Sequence, residues 1–347
     1  MSGQSSSSQP EPNRVPLGDE LRSLVPGFAG LRKIRQFGTG QSNPTYLVEA
    51  DSGRYVLRAQ PPGPLLASAH RVDREFRVMQ ALAKTAVPVP RMIALAPLDN
   101  RLGRMYFVME HVEGRVFFDP ALPELSKPMR QGAFDRMNQV LADLHSVDPV
   151  ALGLADFGRP GNYFARQIER WSRQYRATQT AVLPDMERLI GWLGAHQPDD
   201  DGAVAIVHGD YRLDNLIFAP DQADVLALID WELSTLGHPL ADLAYVCMQW
   251  RLPHDSPFKG MGGLDRTALG LPEESDFIAR YCARRAIAPI ADWDFYVVFA
   301  YFRLAAILQG VMKRALDGNA SNPERAFEIG RTVPHLAAMA MATAEPV

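Results

Sequence analysis

Asp210, Asn215 and Asp230 are the residues of this chain whose types and spacing best suit chemistry. Each stands beside a short apolar run. Ala203 to Val207 leads into His208-Gly209-Asp210, Leu216 to Phe218 follows Asn215, and Val225 to Ile229 leads into Asp230-Trp231-Glu232. Such β-branched runs read as strands, and strand ends hold side chains rigidly. Asp210 and Asn215 share one connecting loop, while Asp230 closes the hairpin made by the second and third runs. A carboxylate placed this way can accept the proton of an attacking hydroxyl. An amide oxygen and a second carboxylate can hold magnesium ions that bridge nucleotide phosphates. The alternative is that these Asp, Asn and Gly residues only form turns.

HGDYRLDN and IDWE, in this order and spacing, resemble the catalytic loop and metal-binding segment of the aminoglycoside phosphotransferase (kinase-like) superfamily, where HGD replaces the HRD of protein kinases. The resemblance implies an α+β, two-lobed protein-kinase-like fold, with a small antiparallel-sheet N-lobe and a mainly helical C-lobe. Along the chain this reads as a disordered tail at 1–14, a nucleotide-binding N-lobe at 15–112 and a catalytic, acceptor-binding C-lobe at 113–347. It implies ATP and Mg²⁺ as cofactors. In that scheme Asp210 orients and deprotonates the acceptor hydroxyl, Asn215 and Asp230 hold Mg²⁺, and Glu232 helps through a metal-bound water. Arg212 is read either as a contact to the transferring phosphoryl group or as a partner in a loop salt bridge. His208 orients the loop through its ring, and Asp242, in GHPLADLAY, hydrogen-bonds the loop backbone from a helix start.

Upstream elements must position the nucleotide. FGTGQSNPTYLVEA reads as strand, Gly-rich turn, strand, and Gly38, Gly40, Ser42 and Asn43 could lay backbone N–H groups against phosphate; a plain hairpin turn would look the same. RYVLRA is the next strand. Its Arg58 stands where the superfamily pattern carries a phosphate-contacting lysine, and arginine differs from lysine in reach and geometry. VLR followed by PPG resembles the subgroup formed by the kinase-like portions of acyl-CoA dehydrogenase family members 10 and 11. A helix within Pro64 to Ala83 carries Glu75, which the resemblance pairs with Arg58. YFVMEHVEG resembles the segment joining the lobes, where backbone groups at Glu110 and Val112 would meet an adenine edge. From Gly114 onward the composition turns helical, with helices at Phe134–Val147, Asn162–Thr178, Pro184–His196, Pro239–Arg251, Glu273–Ala286, Asp292–Leu316 and Asn322–Met341.

At 347 residues the chain can build two cores. A net charge of −4 gives no reason to expect nucleic-acid binding or attraction to acidic membranes. The amino terminus lacks an apolar signal core, so a cytoplasmic location is expected. The most apolar helix, Phe295 to Met312, is interrupted by Arg303 and Gln309, which favours a core helix over a membrane span. Cys247 and Cys282, the two cysteines, are expected to be buried thiols. From Arg251 to Arg285 there are six basic and five acidic residues, which is no acidic cradle for a polycation. That balance and the subgroup resemblance point to a hydroxyacyl-CoA or hydroxy acid as the small-molecule acceptor. An aminoglycoside or choline kinase, or a nucleotide-binding module without activity, remains the alternative, and oligomeric state is not legible.

Overall fold

The computed structural model describes residues 14–38, 43–62, 70–318 and 322–345. Gly40, Ser42 and residues 1–13 of the expected tail lie outside the described residues. Two compact units result: Met1–Glu113 with Ala227–Glu232, and Gly114–Leu226 with Leu233–Val347.

The first unit contains α1 (Arg14–Leu24), β1 (Leu31–Gln36), β2 (Thr45–Ala50), β3 (Gly53–Ala59), α2 (Val72–Leu82), β4 (Met92–Ala96) and β5 (Tyr106–Glu110). The strands form one five-stranded sheet in the order β1-β2-β3-β5-β4, antiparallel throughout. Strand alternation gives the sheet two apolar faces. Tyr46, Val48, Leu57, Ala59, Tyr106 and Val108 form one core with Leu17 and Leu21 of α1. On the opposite parity lie Val56, Arg58 and Phe107, and Phe76 of α2 packs on the Phe107 ring at 6.2 Å. Arg58 therefore projects to the α2 side. α2, Val72–Leu82, lies within the stretch expected to contain a helix, of which residues 64–69 lie outside the described residues.

The second unit holds α3 (Lys127–Ser146), α4 (Tyr163–Thr178), α5 (Pro184–Ala195), β6 (Ala205–Val207), β7 (Leu216–Phe218), β8 (Val225–Leu228), β9 (Thr235–Gly237), α6 (Leu240–Arg251), α7 (Arg266–Leu269), α8 (Glu274–Arg285), α9 (Trp293–Leu316), α10 (Pro323–Gly330) and α11 (Val333–Ala344). β8 ends in the segment that belongs to the first unit. α9 is the axis of this unit, packed by α4, α6, α10 and α11. It is long and apolar enough to cross a membrane by composition, but 89% of its most apolar window is buried in the protein. Cys247 and Cys282 are both buried and free.

Three expectations need correction. The single helix over Asn322–Met341 is two helices, broken at Arg331-Thr332; Pro334, just inside α11, lacks the N–H that would continue the ladder. α3 starts at Lys127, a full turn and more before Phe134, with Pro128 in its first turn, where a missing N–H is harmless. Residues 227–232, read as part of the C-lobe, cluster with the first unit, because the Leu228 N–H donates to the Pro88 carbonyl at 2.8 Å and Asp230 pairs with Arg58. β9, which no reading of the sequence anticipated, pairs antiparallel with β6, Ala205 opposite Gly237.

Candidate active site

In the first unit the strand register aims Arg58 at α2, whose buried stripe includes Glu75. Arg58 Nε lies 2.8 Å from Glu75 Oε2, and Nη2 donates to Asp230 Oδ1 at 2.7 Å and to Glu232 Oε2 at 3.3 Å. Nη1 donates to Thr45 Oγ1 at 3.2 Å. One guanidinium thus gathers three carboxylates. Burial works against the Arg58 charge, but Glu75, Asp230 and Glu232 outweigh it and raise its pKa above the ordinary arginine value. Burial also raises the Glu75 pKa, with Arg58 opposing the shift and Asp230 and Glu232 adding to it. These two tendencies disagree over the charge on Glu75. Asn43 Nδ2 donates to its Oε1 at 2.8 Å and Arg58 Nε stands 2.8 Å from its Oε2, but burial prevails and holds its pKa above the usual glutamate value.

Asn43 is 4% exposed, and its Oδ1 meets His70 Nδ1 at 2.8 Å. Its side chain is committed to holding Glu75, so any phosphate contact falls to its backbone. Gly38 is exposed, with open space around it. Glu110 is tied to Arg91: its carboxylate accepts the Arg91 N–H at 2.9 Å, and its own N–H donates to the Arg91 carbonyl at 3.0 Å. The Glu110 N–H is therefore unavailable to a base edge. Val112 lies beyond β5, outside the sheet ladder.

In the second unit β6 delivers the chain into His208-Gly209-Asp210. Gly209 has φ +84°, and a Cβ there would stand 2.7 Å from the Leu233 carbonyl oxygen, so glycine is required. Asp242, at the start of α6, accepts the His208 N–H at 2.6 Å and the Gly209 N–H at 2.8 Å. His145 Nε2 stands 3.3 Å from Asp242 Oδ2, and His145 Nδ1 stands 2.7 Å from the Tyr281 hydroxyl. A neutral ring protonated on Nε2 satisfies both contacts. Burial lowers the His145 pKa, consistent with that neutral form. Burial would raise the Asp242 pKa, but the His145 ring, His208 and the Gly209 N–H prevail and lower it.

Asp210 follows. Asn215 Nδ2 donates to its carbonyl at 2.8 Å and to its carboxylate at 3.1 Å. The Tyr245 hydroxyl also bonds the carboxylate. Burial opposes ionisation, yet Arg212, His208, Tyr245 and Asn215 together lower the Asp210 pKa. Asp210 is thereby held as an oriented carboxylate, of a kind able to accept a proton. Arg212 forms the loop salt bridge, Nη2 to Asp214 at 2.9 Å and Nε to Asp210 at 3.4 Å. His208 is fully buried, and its Nδ1 accepts the Asp210 N–H at 3.2 Å, an orienting role as expected.

The residues read from the sequence thus separate into two groups. Asn43, Arg58, Glu75, Asp230 and Glu232 form one cluster in the first unit, and Asp210, Arg212 and Asn215 form another in the second. The carboxylates of Asp230 and Glu232 and the amide oxygen of Asn215 are hard oxygen donors of the kind Mg²⁺ takes. Asn215 commits its Nδ2 to Asp210, which leaves its oxygen as the donor atom for a metal. Asp230 has φ +68°, a region that Asp tolerates better than most residues. Four contributors were missed: Thr45, His70, Tyr245 and Arg303. Tyr245 lies three residues after Asp242 on the same helix, and that spacing could have been read. Arg303 was visible as a charge interrupting an apolar helix. Nothing in the sequence marks Thr45 or His70.

A family model described as the phosphotransferase enzyme family matches residues 33–277. Among curated proteins the chain is 46% identical over 310 residues to mouse (Mus musculus) acyl-CoA dehydrogenase family member 10, covering 88% of this chain and 29% of that protein. It is 39% identical over 322 residues to acyl-CoA dehydrogenase family member 11 of Rattus norvegicus, covering 91% of this chain and 41% of that one. The chain thus spans well under half the length of these relatives. A Ralstonia eutropha protein whose crystal structure carries an aminoglycoside phosphotransferase assignment is 46% identical, with a TM-score of 0.85 and coverage of 95% of this chain and 97% of that one. An aminoglycoside phosphotransferase in complex with AMP-PNP and hygromycin B shares the fold at 14% identity, with a TM-score of 0.65 and coverage of 96% and 100%.

Proposed function

This chain belongs to the phosphotransferase enzyme family, and from that premise we propose that it transfers the γ-phosphoryl group of ATP to a hydroxyl of a small molecule, with a hydroxyacyl-CoA or hydroxy acid as acceptor. The observation that carries the reading is Asp210. Its carboxylate is ionised, aimed by Asn215 and Tyr245, and mounted on a loop whose backbone Asp242 fixes. Asp210 takes the hydroxyl proton as the oxygen attacks the phosphorus. The bond to the β-phosphate bridging oxygen breaks, and ADP carries away the electron pair. Mg²⁺, when bound, neutralises charge developing on the phosphates. Asp230 and Glu232 of the first unit would offer it carboxylate oxygens, and Asn215 of the second an amide oxygen. Arg58 keeps the Asp230 and Glu232 carboxylates oriented. Catalysis of this kind is mostly positioning and electrostatics.

The acceptor class draws support from charge. Around the long loop after α6, Glu274 pairs with Arg251, Glu273 with Arg266, Asp135 with Arg280 and Arg284, and Asp119 with Lys259, while Asp255, Asp265 and Asp276 have no ion pair among the described residues. With six basic residues against five acidic ones from Arg251 to Arg285, the region carries no net negative charge for a polyamine. Similarity to the acyl-CoA dehydrogenase family members supports an acyl acceptor over an aminoglycoside or choline. The test is Mg²⁺-dependent ADP release from ATP over pooled hydroxyacyl-CoAs, hydroxy acids, aminoglycosides and choline, with Asp210→Asn as control. Release confined to an acyl pool and lost in the control is the expected result. Release with aminoglycosides alone would overturn the acceptor. No release in any pool, with ATP still bound, would favour a nucleotide-binding module, a reading to which the full engagement of Arg58 by carboxylates lends weight.

A further inference from the structure

Arg303 is 5% exposed, on the most apolar helix of the protein, and has no ion pair among the described residues. Its polar contact is Nη2 donating to the Gly209 carbonyl at 2.6 Å. Its Cζ lies 5.5 Å from the Tyr245 ring and 5.7 Å from the Trp171 ring. Arg170 stands over the same indole at 5.0 Å and likewise has no carboxylate partner among the described residues. Partial desolvation and the Arg303 charge lower the Arg170 pKa. Arg58 is neutralised by three carboxylates and Arg251 by Glu274, whereas Arg130, like Arg303, is held by backbone carbonyls. Enclosing a cation without a counter-charge costs several kcal/mol, so Arg303 needs a reason, and Arg170, exposed to solvent, adds a second positive charge over the same indole. Bracing one carbonyl requires a single donor and accounts for neither the second arginine nor the remaining guanidinium N–H groups of the first.

We propose that Arg170 and Arg303 receive the anionic end of the acceptor, a carboxylate or a CoA phosphate joined to the hydroxyl by an acyl chain. This rests on the phosphotransferase reading above. Tyr245 links the two places: its ring faces Arg303 and its hydroxyl bonds Asp210, so an anion held at the arginines lies one side chain from the proton acceptor.

The test measures binding by calorimetry without nucleotide, using a medium-chain hydroxy acid, its CoA thioester and its primary amide. Wild type should bind at least one anionic form about tenfold or more tighter than the amide, and the form preferred identifies carboxylate or phosphate as the anion. In Arg170→Gln that preference should fall below about threefold, with ATP affinity and thermal midpoint unchanged. Arg303→Lys keeps the charge and loses the fork; a merely structural Arg303 would alter kcat and leave the acid-to-amide ratio intact. Equal affinity for all three compounds, including no binding of any, overturns the proposal, as does a preference that survives both substitutions. Because binding is read without ATP, a preference for the anion with no ADP release leaves this site standing and removes the phosphotransferase reading. Equal ADP release with acid and amide does the reverse.

Discussion

The two units organise buried charge in opposite ways. In the first, a cation sits at the centre and binds carboxylates from separate elements: Glu75 of α2, and Asp230 and Glu232 beyond β8, all on Arg58. In the second, an anion sits at the centre, and Asp242 is surrounded by two backbone N–H groups and the His145 ring. The difference lies in what can be exchanged. Backbone amides cannot leave Asp242 without unfolding the loop. Asp230 and Glu232 are 36% and 28% exposed, so another cation can compete for them without disturbing Glu75, which is 1% exposed. A fixed anion suits a base that must stay in place; a shared cation suits ligands that must come and go.

The sharpest way to break this comparison is to remove the two centres. Asp242→Ala leaves a neutral histidine and two amides unpartnered in a fully buried site, and should cost about 3–5 kcal/mol or more by chemical denaturation. Arg58→Met should cost up to about the same range, lessened because two of its carboxylates reach water; adding Glu75→Gln should recover about 1–3 kcal/mol as coupling energy. Equal losses, with no recovery in the double variant, would dissolve the distinction. Next comes Asp210→Asn, which should lower turnover by roughly two or more orders of magnitude while nucleotide affinity and the denaturation midpoint hold, the scale of a lost general base.

Titration should separate the clusters by sign. The pKa values of His145 and Asp242 are lowered, so their stabilisation is present above the ordinary values of 6.5 and 3.8 and is lost as pH falls through the shifted ones. That of Glu75 is raised, so its contribution is present below 4.5 and is lost as pH rises through the shifted value. Amide exchange corrected for intrinsic rates should therefore show protection of α2 declining as pH rises and protection of the His208-Gly209 loop declining as it falls. Matching trends would refute the assignment. The smallest effect is expected for Tyr281→Phe, about 0.5–1.5 kcal/mol, because His145 keeps its bond to Asp242.

Local placement was legible in the sequence wherever a residue type was tied to the end of an element. Asp210, Asn215, Asp230 and the supporting role of Asp242 could be read because β-branched runs and turn residues declare such positions without any knowledge of distant packing. Arg58 with Glu75 came from the resemblance and is present as a contact of 2.8 Å. The rest depended on long-range partners. The Tyr281–His145 bond spans 136 residues and the Arg303–Gly209 bond spans 94, and neither leaves a local pattern. β9 is three residues long, Thr-Leu-Gly, too short for alternation to show; only its pairing with β6 makes it a strand. The break between α10 and α11 was marked by Pro334 and could have been read.

The return of residues 227–232 to the first unit bears on how the chain is made. A nascent chain emerges from its amino end, and here the first unit cannot be completed until more than a hundred residues of the second have been synthesised. Before then Arg58 and Glu75 are available, but Asp230 and Glu232 are not yet translated. A truncation after Glu113 would leave the same gap permanently. Folding in the cell must therefore proceed with the first unit waiting on its last segment, and a gene split at the obvious boundary would yield a first fragment short of two of the carboxylates that Arg58 gathers.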